Sequence, residues 1–144
     1  MADHLKFYIN GEWVDPLSSE TIEVINPSDE SIIGSISAGT KEDIDIAVNA
    51  AAKAFESFGD SSKAERVELL KRVIAEYENR MQDFIDTISE EMGAPMWLSG
   101  AAQAATGLKN LKETLEALEE YEFEKPEGSY ILRKEPVQID SYFN

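Results

Sequence analysis

At Thr40 the spacing of apolar residues changes period, and that change decides what class of fold this chain can adopt. Before it the residues alternate. Phe7, Tyr8 and Ile9 precede Asn10-Gly11, and Trp13 and Val14 follow. Asn-Gly accepts the positive φ angles of a type I′ turn, so this stretch predicts a hairpin. Thr21 to Ile25 is β-branched and alternating, and stops at Asn26-Pro27, with Ser28 and Asp29 as turn formers. Ser31 to Ile36 reads as a further strand. The plain expectation is one small antiparallel sheet of structural value.

After Thr40 the period is helical. Thr40 with Asp43, and Ser62 with Glu65, have the spacing of capping boxes. Ile44, Ala47, Val48, Ala51, Ala54, Phe55 and Phe58 fall on one face of a first helix, which Gly59 can end in a left-handed conformation. Leu70, Val73, Ile74, Tyr77 and Met81 form a second stripe, continued by Phe84, Ile85, Ile88 and Met92. Glu78, Asn79 and Arg80 mark a bend or break between them. Pro95 suits the first turn of a third helix reaching about Tyr121, with Leu98, Ala101, Ala102, Ala105, Leu108, Leu111, Leu115 and Leu118 on its apolar face. Its acidic side, Glu113, Glu116, Glu119 and Glu120, reads as a solvated face. Beyond Pro126 and Gly128, Tyr130 to Val137 and Gln138 to Phe143 return to strand. The class is α+β: mainly helical, with short antiparallel strands at both ends.

Composition narrows the chemistry. The 144 residues fit one domain or part of a larger one. With no cysteine, the chain holds no disulfide, thiolate ligand or cysteine nucleophile. Its one histidine, His4, cannot supply a metal site or triad alone. Twenty-nine acidic residues against thirteen basic ones give a net charge of −16, which repels phosphate backbones, so no nucleic-acid partner is expected. No apolar run approaches the ~20 residues that span a bilayer, so no membrane partner is expected either. The first residues lack a signal-peptide pattern, and a cytoplasmic location is the expectation.

No Gly-x-Gly-x-x-Gly follows a strand. Gly93, Gly100 and Gly107 are evenly spaced but lie in or beside helices, where glycine permits close packing. Glu90-Glu91 places two negative charges at a helix C-terminus, which the macrodipole disfavours. A bound cation would relieve that; a solvated helix end is the simpler account.

Taken in order, several segments resemble the N-terminal part of the NAD(P)-dependent aldehyde dehydrogenase family. Phe7 to Val14 is similar to its opening hairpin, and Ile25-Asn26-Pro27 with Ile33-Gly34 to its next two strands. Asp43 to Val48, with Ala50, Ala51, Ala54 and Phe55, resembles its first helix. Arg66 with Leu69-Leu70 resembles the start of its second. Glu91-Met92-Gly93-Ala94-Pro95 is similar to an acidic-x-Gly-x-Pro turn, and Arg133 to Val137 to the strand leading from the oligomerisation arm. The resemblance implies residues 1–128 as the first part of a cofactor-binding domain and 129–144 as arm-like strands. It departs at Val137: the tail Gln138 to Asn144 is similar to the family's extreme C-terminal strand, as an internal deletion would produce. A frameshift or a chance tail is the alternative.

The resemblance also implies what this chain lacks. The family oxidises an aldehyde to a carboxylic acid with a cysteine thiolate, a glutamate that helps water cleave the thioester, and NAD or NADP. The segments carrying those groups, the Rossmann core and the catalytic domain, have no counterpart here. No catalytic or cofactor-binding residue is therefore assigned, and no cofactor is expected for this chain alone. One carry-over remains. Some members bind a monovalent cation through a backbone carbonyl before Asn-Pro and an acidic residue before the Gly-x-Pro turn, positions that match Ile25 and Glu91; oxygen ligands suit such ions, and a further carbonyl ligand of the family's site has no counterpart here, which implies an incomplete set. The implied partners are a second copy of the chain or a full-length relative, held through exposed edge strands and apolar faces.

Overall fold

The computed structural model describes residues 2–134, with Ala2 taken by its backbone alone. The tail Gln138 to Asn144, and residues 135–137 of the segment before it, lie outside the described residues. In chain order the elements are β1 (Ala2–His4), β2 (Phe7–Ile9), β3 (Glu12–Val14), β4 (Thr21–Ile25), β5 (Ile32–Ser37), α1 (Lys41–Phe58), α2 (Lys63–Asn79) and α3 (Met81–Met92). There follow α4 (Met96–Leu98), a π-helical segment (Ser99–Ala104), α5 (Ala105–Glu120), β6 (Glu124–Glu127) and β7 (Tyr130–Arg133).

The Asn-Gly hairpin forms as the dipeptide dictates. Asn10 and Gly11 have φ of 55° and 82°, and Phe7 pairs with Val14, Tyr8 with Trp13 and Ile9 with Glu12. The tyrosine and tryptophan rings lie 5.2 Å apart across the strands. The expected single antiparallel sheet does not form. β2–β3 stands as its own two-stranded unit, and a separate three-stranded sheet has the order β1-β5-β4, with β4 antiparallel and β1 parallel to β5. Three residues without alternation gave β1 no signal. Side chains hold it: Ser35 donates from its amide (3.1 Å) and hydroxyl (2.8 Å) to Asp3 Oδ1, and the Ser37 hydroxyl donates to the Leu5 carbonyl at 2.8 Å.

Both capping boxes close. The Asp43 amide donates to Thr40 Oγ1 at 3.2 Å while the Thr40 amide donates back to Asp43 Oδ2 at 2.8 Å. The same exchange joins Ser62 and Glu65, at 3.2 and 2.7 Å. Asp43 does more than cap, since its other oxygen accepts from the Leu17 amide at 3.1 Å, tying the β3–β4 loop to α1. Gly59 corrects an expectation: its φ of −57° and ψ of −34° are right-handed. The helix stops because the chain turns at once into the next cap, with the Ser61 hydroxyl donating to the Phe58 carbonyl at 2.6 Å.

These caps give the chain a defined acid response. Bonds from the Thr40 amide, above all, hold the Asp43 carboxyl below its ordinary 3.8, against an opposing push from desolvation. The Ser62 amide and hydroxyl hold Glu65 below 4.5. A carboxyl depressed by folding stabilises fully above its unfolded value, and that contribution vanishes as pH falls through the lower folded value. Thermal melts between about pH 6 and about pH 2 should show the midpoint falling in this window. Asp43→Asn should start lower at neutral pH and fall less steeply; a curve parallel to the parent's would overturn the assignment.

The break between the second and third stripes falls at Arg80, whose φ of −104° and ψ of 16° are not helical. The third helical stretch begins after Pro95 as expected, but its face is not the expected one. The π-helical segment adds residues to a turn and rotates the helix surface. Ser99 and Ala104 are fully buried, whereas Ala101 and Ala102 are exposed. Packing between α2 and α5 centres on Tyr77, which stacks on Phe84 at 4.2 Å and donates to the Ala104 carbonyl at 3.0 Å. Gly107 faces the Tyr77 hydroxyl, and a methyl added at Gly100 would lie 3.3 Å from Ile85. The evenly spaced glycines are packing residues, as their helical setting suggested.

The core is small. Among the described residues the buried apolar side chains are Val67, Ile74 and Ala104. Much of the stripe read from the sequence faces out: Ile44, Val48, Phe58 and Val73 are all exposed. The amphipathic pattern records faces suited to burial, and the described residues leave these side chains uncovered.

Candidate functional site

The two residues assigned to a cation lie on neighbouring segments. Ile25 ends β4, and the turn that follows is closed by its own polar groups. The Asn26 amide donates to the Ser31 carbonyl and the Glu30 amide to the Asn26 carbonyl, both at 2.8 Å. The Ser28 amide donates to Asn26 Oδ1 at 2.9 Å. Asp29 Oδ1 accepts from the Ser31 hydroxyl at 2.7 Å and its amide at 3.0 Å, and these bonds hold its carboxyl below the usual range. Glu91 is the penultimate residue of α3 and is exposed.

What joins the two segments is Gly93. It ends α3 in the left-handed conformation, at φ 66°. A Cβ there would stand 2.8 Å from Ser28 Oγ and 2.9 Å from Pro27 Cγ. The Ser89 hydroxyl donates to the Ala94 carbonyl at 2.7 Å and holds the chain as it leaves the helix. The turn after Ile25 thus packs directly on the helix end that carries Glu91. The last turn of α3 has no basic residue to answer Glu90, Glu91 and the free carbonyls, so this junction is locally negative. Its chemistry is that of oxygen ligands for a hard cation. Among the described residues, no three or more His, Cys, Asp or Glu side chains gather as a metal-holding group, and Ile25 could contribute only its carbonyl.

A second feature escaped the sequence reading. An open groove of about 690 Å³ runs between the α1–α2 corner and the β6–β7 hairpin, with Phe55, Arg66, Phe123 and Lys134 among its walls. Its cations serve the fold. Arg66 donates from Nε to Ser61 Oγ and from Nη2 to the Gly59 carbonyl, both at 2.8 Å, and its guanidinium lies 5.6 Å from the centre of the Phe123 ring. Lys63 donates to the Glu119 and Tyr121 carbonyls at 2.5 and 3.0 Å, placing a positive charge at the C-terminal end of α5. Lys134 sits 4.6 Å from the centre of the Tyr121 ring. Apolar periodicity says nothing about such polar ties, and only the Arg66 position carried any signal, through the family resemblance.

The sequence profile of the aldehyde dehydrogenase family matches residues 13–139. The chain belongs to that family. The match extends two residues past Val137, where the resemblance by inspection ends. A Staphylococcus aureus (strain bovine RF122 / ET3-1) protein bearing the aldehyde dehydrogenase name is 44% identical over 139 residues, covering 96% of this chain and 29% of the relative. The crystal structure of a Bartonella henselae aldehyde dehydrogenase is similar with a TM-score of 0.86 and 40% identity, covering 90% of this chain and 28% of that one. A Pseudomonas syringae aldehyde dehydrogenase, a cysteine-to-alanine mutant solved with NAD+ and octanal, has a TM-score of 0.83 and 32% identity, covering 85% and 25%. The chain therefore spans under a third of the length of the relatives it matches. The α+β, mainly helical class holds as read. Among the described residues no helix is long and apolar enough to cross a membrane.

Proposed function

We propose that this chain is a non-catalytic portion of an NAD(P)-dependent aldehyde dehydrogenase, which alone neither oxidises aldehydes nor binds the dinucleotide tightly. The observation that carries this reading is the joint one of coverage and composition. The chain reproduces 28–29% of its relatives' length and holds no cysteine. A thiolate attack needs a thiol, and hydride transfer needs a pocket that orients the nicotinamide. The relative solved with NAD+ and octanal supports NAD as the cofactor of an intact protein of this kind. The purified chain should give no NADH or NADPH from a panel of aliphatic and aromatic aldehydes. It should also show no saturable quenching of its two tryptophans with NAD. Turnover above a heat-treated control, or saturable binding, would overturn the proposal.

A second reading rests on the exposed apolar faces. Val48 and Phe58 on α1, and Tyr130 and Ile131 on β7, are exposed apolar surface of a kind that drives association. We take the partner to be a second copy or a full-length relative. The division at 128/129 falls in the β6–β7 turn, so the arm-like unit begins with a strand paired to β6. Light scattering on the purified chain would yield a discrete oligomer under this reading and a monomer otherwise. The cation site is proposed from the Ile25 carbonyl and the Glu91 carboxylate, supported by the contact of Gly93 with Pro27 and Ser28. A cytoplasmic location is proposed along with this family reading.

A further inference from the structure

We propose that Asn10 is a site of spontaneous backbone modification, converting to aspartyl or isoaspartyl through a cyclic imide, and that the isoaspartyl product releases the β2–β3 hairpin from α1. Asparagine is thermolabile, but its reactivity depends on its successor and on backbone freedom. Asn26 precedes Pro27, which has no N–H to act as nucleophile. Asn49 and Asn110 lie inside α1 and α5, and Asn79 is the last residue of α2, each with its amide in a helical turn. Asn10 is exposed, non-helical and followed by Gly11. The space where a Gly11 side chain would stand is empty to 4 Å. Water and base reach the turn freely.

The reaction balances without a co-reactant other than water. The Gly11 nitrogen, on losing its proton, attacks Asn10 Cγ. The bond from Cγ to the side-chain nitrogen breaks, and ammonia leaves with the proton. Water then opens the five-membered imide at either carbonyl. Opening at one gives aspartate, and at the other isoaspartate, which carries an extra methylene in the main chain.

In the folded turn the pairing of Ile9 with Glu12 fixes the dihedrals of both central residues, so ring closure requires the hairpin to open. Opening is easy here. Among the described residues the hairpin has two three-residue strands and no third, a unit of marginal stability. Tyr8 and Trp13, its cross-strand ring pair, are 62% and 66% exposed. Its other face holds Phe7 and Ile9 against Ile44 and Ala47 of α1 around an apolar cleft of about 410 Å³. An isoaspartyl residue lengthens the two-residue turn and breaks the register that places Phe7 and Ile9 there.

The test is to incubate the full chain at about pH 8 and about pH 6 and map its peptides by mass. Conversion at position 10 should outpace that at 26, 49, 79 and 110, and should rise about tenfold per pH unit, as the deprotonated fraction of the attacking amide does. Trp13→Ala, which removes the ring pair, should speed conversion in buffer several-fold. Gly11→Ala, compared in urea where its folded-state strain is irrelevant, should slow it several-fold. Preferential conversion at a helical asparagine, or no change with Gly11→Ala, would overturn the site. A Trp13→Ala rate equal to the parent's would overturn the opening step.

Discussion

Replacing Ile74 by alanine should remove more than half of the roughly 5 kcal/mol that keeps this chain folded. Ile74 is 8% exposed, on α2, which packs against α5, and is one of three buried apolar side chains among the described residues. Removing the buried methylenes costs about 3 kcal/mol, the transfer loss plus the cavity left behind. Single domains hold only about 5–15 kcal/mol in all, and a chain with this much uncovered surface belongs at the low end. Val73 is the informative control. It sits beside Ile74 on the same predicted stripe but is 43% exposed, so Val73→Ala should cost under about 1 kcal/mol. Urea titrations followed by circular dichroism would decide. Equal shifts for the two variants would mean that the helices pack in another register.

The second large effect belongs to Gly93, and Gly128 isolates its cause. Both glycines have φ of 66°, so alanine at either meets the same left-handed strain, about 1–2 kcal/mol. Nothing lies within 4 Å of a side chain added at Gly128, whereas one at Gly93 runs into Ser28 and Pro27. Overpacking adds about 1–3 kcal/mol. Gly93→Ala should therefore lose the sum, with Gly128→Ala losing the strain alone. Matched losses would show that the turn after Ile25 does not rest on the end of α3. The same pair bears on the cation proposal. Any protection of the parent by sodium or potassium chloride, beyond that by a bulky organic cation at equal ionic strength, should disappear in Gly93→Ala and survive in Gly128→Ala.

Much of the secondary structure was legible because its causes are local. Asn10-Gly11 demands positive φ at two successive residues, and Thr40/Asp43 and Ser62/Glu65 satisfy their own helix ends. Those features need no tertiary contact. β1 was missed because its support comes from Asp3 reaching Ser35, thirty-two positions away. Gly59 was misjudged because a glycine after a helix more often supplies a left-handed cap, and here the following serine cap made one unnecessary. The π-helical segment was invisible because a helix of uniform-looking composition gives no local sign of it; it coincides with the close approach of Gly100 to Ile85 and the burial of Ser99.

The candidate site divides the same way. Asn26-Pro27 and Glu91-x-Gly93-x-Pro95 stand out as sequence patterns, since turn chemistry and a helix stop each require particular residues. That they meet, through Gly93 on Pro27 and Ser28, was decided by the path of the chain between them. The structural roles of Arg66, Lys63 and Tyr77 were likewise decided in three dimensions, because each acts on a backbone carbonyl, and carbonyls are present at every residue. The sequence by itself determined the order of the helices and of every described strand but β1 and β6, the two capping boxes, the family and the absence of a thiol. Only the tertiary structure decided which apolar stripes are covered. Amphipathic spacing fixes which face of a helix must leave water, but says nothing of whether the surface that receives it lies within the same chain.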